Sequence, residues 1–168
     1  TAMRSEPTMF AGRDTISPEA GKLCARELYA KAGITNPRKE IDCAEVYVPF
    51  AWFEAMWLEN LGFSPEGEGW KAVHDGSTEL TGDIPWNMSG GVLSSNPIGA
   101  SGMLRFAEAA MQVRGQAGEH QVDGAKVDAV QGRAWDRLGV ASRPHAALLD
   151  GTAARYGCRA KLGGTKPF

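Results

Sequence analysis

Residues 42–62 read DCAEVYVPFAWFEAMWLENLG, a strand running through a Pro turn into an aromatic helix. Ile41, Cys43, Val46 and Val48 are strand formers or small apolar residues, so the strand is expected over 41–48. Pro49 then opens a helix over 49–61, which Gly62 ends. Phe50, Trp52, Phe53, Met56, Trp57 and Leu61 cover most sides of that helix. Burial on more than one face is expected.

Working outward, Ser17-Pro18-Glu19 marks a helix start, with Ser17 as N-cap. Ala20, Leu23, Cys24, Leu28 and Ala32 recur at helical spacing, and Gly33 stops the run. Residues 64–91 are rich in Gly and Pro and are expected to form a long loop. A third helix is expected over 101–114, with Leu104, Ala107 and Met111 on one face. Arg105, Glu108 and Gln112 take another face. Residues 121–130 can hold one more strand. Helix alternating with strand argues for the α/β class.

The chain has 168 residues and a formal charge of −2, the size of one domain. That charge argues against a nucleic-acid partner. No apolar run is long enough to span a bilayer. Cys24, Cys43 and Cys158 show no metal or disulfide spacing, which fits a reducing, cytoplasmic setting. His74, His120 and His145 lack a second ligand at metal spacing, so no metal site is expected. The chain starts at Thr1 with no signal-peptide pattern, which fits a processed or tagged chain or a piece cut from a longer protein.

Chemistry is concentrated in residues 87–102, NMSGGVLSSNPIGASG. Small residues let a ligand approach the backbone. Free N–H groups at a helix entrance can meet an oxyanion. Taken alone, structural turns explain such a loop equally well.

Four stretches together resemble the C-terminal half of the thiolase superfamily, in its lipid-transfer group related to the sterol carrier protein x thiolases. They are residues 42–62, residues 82–91 (GDIPWNMSGG), residues 96–102 (NPIGASG) and residues 108–122 (EAAMQVRGQAGEHQV). The resemblance covers about residues 15–127. It implies half of an αβαβα layered sandwich, each half a five-stranded mixed sheet covered by helices. It also implies a homodimer, a missing N-terminal thiolase half, and acyl-CoA thioesters as substrates with no other cofactor. In the family, a Cys of the first half takes the acyl group. A His of an HPxGxxG motif holds the thioester oxygen.

Three departures shape the functional expectation. Asn96 stands at the motif His; it can donate to a thioester oxygen but cannot shuttle a proton. That favours retro-aldol cleavage of a β-hydroxyacyl-CoA over Claisen transfer. The resemblance pairs such cleavage with steroid breakdown and a small OB-fold partner protein. None of the three cysteines sits where the family nucleophile does. The match also stops near Lys126-Val127, where the charge reverses from −6 over residues 1–127 to +4 over 128–168. Residues 1–127 are therefore expected to be the thiolase-like domain. Residues 128–168 are expected to be a divergent basic tail, out of frame or poorly packed.

The site expected from the resemblance places Asn96 at the thioester oxygen and Tyr47 as acid or base. Ser89, Gly90, Gly91, Gly99 and Gly102 face the substrate. The full protein would be an acyltransferase or aldol-lyase, and this piece alone would be inactive. The alternative is a non-catalytic acyl-CoA-binding or partner-binding module. A half-sandwich also exposes an apolar face, so self-association is expected.

Overall fold

The computed structural model describes residues 16–95, 97–134 and 143–150, with side chains up to Gln131. Helix α1 spans Glu19–Ala32. Pro18 takes the N-cap position. The Ser17 hydroxyl donates to Asn60 Oδ1 (3.4 Å), while Asn60 Nδ2 donates to the Ile16 carbonyl (3.1 Å). The entrance of the helix is thereby tied to a residue distant in sequence. The helix end follows expectation: Gly33 has φ 73°, a conformation a side chain disfavours.

The Asn36-Pro37 turn opens a one-turn helix α2, Pro37–Glu40. Strand β1 is Cys43–Val46, shorter than expected but buried throughout. Helix α3 is Trp52–Asn60. It buries Met56, Trp57 and Leu58, yet Phe50 and Trp52 at its entrance are 68% and 63% exposed. Burial on several sides therefore holds from Ala55 to the end of the helix but not at its entrance. The expected loop over 64–91 contains a further helix, α4 (Gly69–His74), and a single parallel bridge from Trp86 to Ala44. Short helix α5 (Gly91–Ser94) and a 3-10 turn (Ile98–Ala100) lead into α6, Ser101–Arg114.

Strands β2 (Val127–Ala134) and β3 (Arg143–Asp150) complete a mixed sheet of order β1-β2-β3. β1 and β2 run parallel with Cys43 opposite Asp128, and β2 and β3 run antiparallel. The resemblance implied five strands per half; the described residues form three. The expected boundary at 127 falls at the start of β2. Asp128, Ala129, Val130 and Gln131 are buried against β1, so the folded unit continues past it. Residues 151–168 and Cys158 lie outside the described residues.

The two sheet faces differ in chemistry. Ala44, Val46, Val48 and Ala129 join Ala25, Met56, Trp57, Leu58 and Phe63 in one apolar core under α1 and α3. Gly21 of α1 sits so close to Trp57 that a Cβ there would lie 2.8 Å from the ring. On the other face, Glu45 meets Arg105 of α6. Buried on α6 are Ser101, Arg105, Glu108, Ala109 and Gln112, while Met103, Leu104, Phe106 and Met111 are exposed. This helix turns its polar stripe inward.

Candidate functional site

The turn over residues 87–91 is fastened to β1 from both sides. Asn87 N donates to the Ala44 carbonyl (2.8 Å), and Val46 N donates to Asn87 Oδ1 (2.7 Å). Asn87 adopts φ 53°, which Asn tolerates better than most residues. Ser89 N donates to Glu45 Oε1 (3.2 Å), and the Ser89 hydroxyl donates to Oε2 (3.0 Å). Gly91 N donates to Ser89 Oγ (3.3 Å).

Both glycines of the turn are needed as glycines. Gly90 and Gly91 have φ 85° and 58°. A Cβ on Gly91 would lie 3.3 Å from both Arg105 Nη1 and the Asn87 side chain. The backbone therefore lies directly over a buried guanidinium.

Glu45 is fully buried, with Arg105 Nε 3.4 Å from its Oε2. Burial pushes its carboxyl up to about 7, outweighing the Arg105 charge and the two Ser89 bonds, which pull it down. Asp128 is pushed up to about 8 by burial, against the pull of the Cys43 thiol, with repulsion from Glu45 and Glu108 adding less. Neither Asp128 oxygen completes a well-formed hydrogen bond among the described residues. The Cys43 thiol is raised as well, by burial and by Asp128, so it is held protonated and unsuited to nucleophilic attack. Further along α6, His120 Nε2 lies 2.8 Å from Glu108 Oε1, and Gln112 Nε2 donates to the same oxygen (3.2 Å).

The expected site residues divide by position. Ser89, Gly90 and Gly91 form the pinned turn. Gly99 is exposed in the 3-10 turn, and Gly102 is half-buried in the first turn of α6. Tyr47 follows β1 and is 3% exposed. Its N–H donates to Gln131 Oε1 (2.9 Å), and its carbonyl accepts from Trp57 Nε1 (3.1 Å). Asn96 lies outside the described residues. His74 ends α4 against the Trp70 ring. No cluster of metal-binding side chains occurs among the described residues. No helix among them is long and apolar enough to cross a membrane.

Sequence reasoning missed Glu45, Arg105 and Asp128. The available signal was a Glu in the middle of an otherwise small and apolar strand, together with the 101, 105, 108, 112 spacing on α6. An open groove of about 570 Å³ lies at the other end of β1, lined by Arg38, Asp42, Leu80, Asp83, Gln121 and Asp123 among others. None of the candidate site residues lines it.

Residues 2–146 match the family described as thiolase C-terminal domain-like. The chain is 40% identical over 116 residues to an acetyl-CoA acetyltransferase of Methanothermobacter thermautotrophicus, covering 68% of this chain and 30% of that relative. It is 40% identical over 129 residues to sterol carrier protein 2 of Homo sapiens, covering 74% of this chain and 23% of that relative. Among solved structures it resembles the Ltp2-ChsH2(DUF35) aldolase, with a TM-score of 0.71 and 30% identity. That likeness covers 89% of this chain and 38% of the other. The chain thus spans less than two fifths of each.

Proposed function

The chain belongs to the thiolase C-terminal domain-like family, and from that premise we propose that it is the C-terminal part of an enzyme working on acyl-CoA thioesters. The whole protein makes or breaks a carbon–carbon bond next to the thioester, with retro-aldol cleavage ahead of Claisen transfer. The observation that carries this reading is the likeness to an aldolase over nearly the whole chain. Asn96 in place of the motif His supports it. Asn can stabilise a thioester oxygen as it turns into an enolate, without itself changing charge.

In this reading the acyl thioester lies over the Gly90-Gly91 turn, with Asn96, Gly99 and Gly102 lining its approach. Buried Tyr47 supplies a hydroxyl from the strand end beneath. The remaining thiolase half, a second copy of the protein and a small OB-fold subunit are the expected partners. The matched aldolase is itself named for two components.

The test incubates the full-length protein with a β-hydroxyacyl-CoA, and separately with a β-ketoacyl-CoA plus free CoA. Products are followed by mass spectrometry. Release of a carbonyl compound without consumption of free CoA is the expected result. CoA-dependent cleavage of the β-keto ester would make it a thiolase. Tight binding of either ester without turnover would leave a non-catalytic acyl-CoA-binding module.

A further inference from the structure

We propose that Ser89 and Glu45 form a proton relay into the glycine turn, with the Ser89 hydroxyl touching the substrate and Glu45 acting through it. The proposal rests on the reading above and names the groups that move its proton. Ser89 is half-buried, and Glu45 is fully buried behind it. The serine oxygen gives its hydrogen to Glu45 Oε2 and receives one N–H, from Gly91. A hydroxyl oxygen has two lone pairs, so one acceptor site remains for a substrate hydroxyl arriving over the turn.

The surroundings of Glu45 suit that work. Facing it are Arg105 and Glu108 from α6 and Cys43 and Asp128 from the sheet. An ordinary carboxylate is too weak a base at neutral pH; one brought close to neutrality can take a proton and return it. Burial supplies that shift, to about 7. Arg105 steadies the charged form between turnovers.

The step balances without any further reactant. The O–H bond of the substrate's β-hydroxyl breaks and its proton goes to Ser89 Oγ, as the serine's own proton passes to Glu45 Oε2. The electron pair of the Cα–Cβ bond moves into the thioester, leaving an enolate and a new carbonyl compound. Return of the proton through Ser89 to the enolate carbon gives the shortened acyl-CoA and restores the carboxylate.

The competing role for Glu45 is to pin the turn, and the experiment separates the two. In the full-length protein, Glu45→Gln keeps the shape and the Ser89 contact but cannot take a proton. It is expected to lower kcat about 100-fold with little change in KM. It is also expected to abolish the fall of kcat below about pH 7. Ser89→Ala leaves the Glu45–Arg105 pair in place, so folding is preserved, and it should lose a similar factor. Glu45→Asp should recover part of the rate. A Glu45→Gln enzyme that keeps the acidic limb, or a Ser89→Ala enzyme at wild-type rate, overturns the relay.

A second readout needs no turnover. Carboxyl carbon NMR of the 168-residue chain should show Glu45 titrating near neutral, and Ser89→Ala should move that midpoint upward. Titration in the usual carboxylate range, or no movement on Ser89→Ala, overturns the relay even in an active enzyme. The expected titration in a protein that cleaves no thioester overturns the functional reading and leaves the Ser89–Glu45 coupling standing.

Discussion

The face of the sheet under α1 and α3 is built from Ala, Val, Leu, Trp and Phe. The face under α6 carries Cys43, Glu45 and Asp128 against Arg105 and Glu108. One strand, β1, serves both by alternation. The first face gains from removing apolar surface from water. The second holds charges whose desolvation roughly cancels their attraction. In the proposed function that second layer lies beside the substrate turn, which would divide stability and chemistry between the two faces of one sheet.

The comparison is broken most severely on the apolar face. Phe63 is buried and packs edge-on to Trp86 (5.2 Å between centroids). Phe63→Ala should cost about 3–5 kcal/mol in denaturant unfolding. A loss under 1 kcal/mol would show that this face is not where stability resides.

On the polar face a single change should cost somewhat less, and a paired change should largely reverse it. Glu45→Leu leaves Arg105 buried without its partner and should destabilise by about 3 kcal/mol. Adding Arg105→Met should recover most of that loss. If the double variant were as unstable as the sum of the singles, the polar layer would be a source of stability after all.

The pH dependence comes next in size. Glu45 and Asp128 hold protons more tightly folded than unfolded, since both are raised. Stability from these groups is full below their unfolded values, 4.5 and 3.8, and falls as pH rises through about 7 and 8. The melting temperature should therefore be several degrees higher at pH 5 than at pH 8. Asp128→Asn should flatten that slope. A protein that is most stable at pH 8 would contradict it.

The smallest effect on stability is expected on the outer stripe of α6. Met103 and Leu104 are 69% and 43% exposed. Met103→Glu with Leu104→Gln should change unfolding by no more than about 0.5 kcal/mol. Sedimentation should nevertheless show less self-association than in the unaltered chain. Unchanged association would remove this stripe as the sticky surface.

Much of the fold was legible because it follows local rules. The apolar spacing of α1, its Gly33 stop and the Cys43–Val46 strand are fixed by residues near one another in sequence. What was not legible depends on distant partners. The Ser17–Asn60 contact spans 43 positions and leaves no local trace. Residues 69–74 look like loop until Gly69 N donates to the Glu59 carboxylate. The spacing of α6 separates a polar from an apolar face without saying which is buried; the Glu45–Arg105 pair and the Gln112 contacts with His120 and Val122 show the polar one inward. The boundary at 127 followed a change in charge, but pairing with β1 decides burial there. For the site, the glycine turn was visible from its composition. Its anchor at Glu45 was not, since that contact spans 44 positions.

The parallel pairing of β1 with β2 has a consequence for biosynthesis. Tyr47 and Gln131 meet across 84 positions. At about 5–20 residues per second, β1 leaves the ribosome roughly 4–17 s before its neighbour exists. Among the described residues that precede β2, the strand-like pairing available to it is the single bridge at Trp86. A bare strand edge is a template for unwanted pairing between nascent chains, and a charged residue in its middle discourages that pairing. Glu45, still solvated and ionised at that stage, is such a residue, so it guards the strand before it serves the turn.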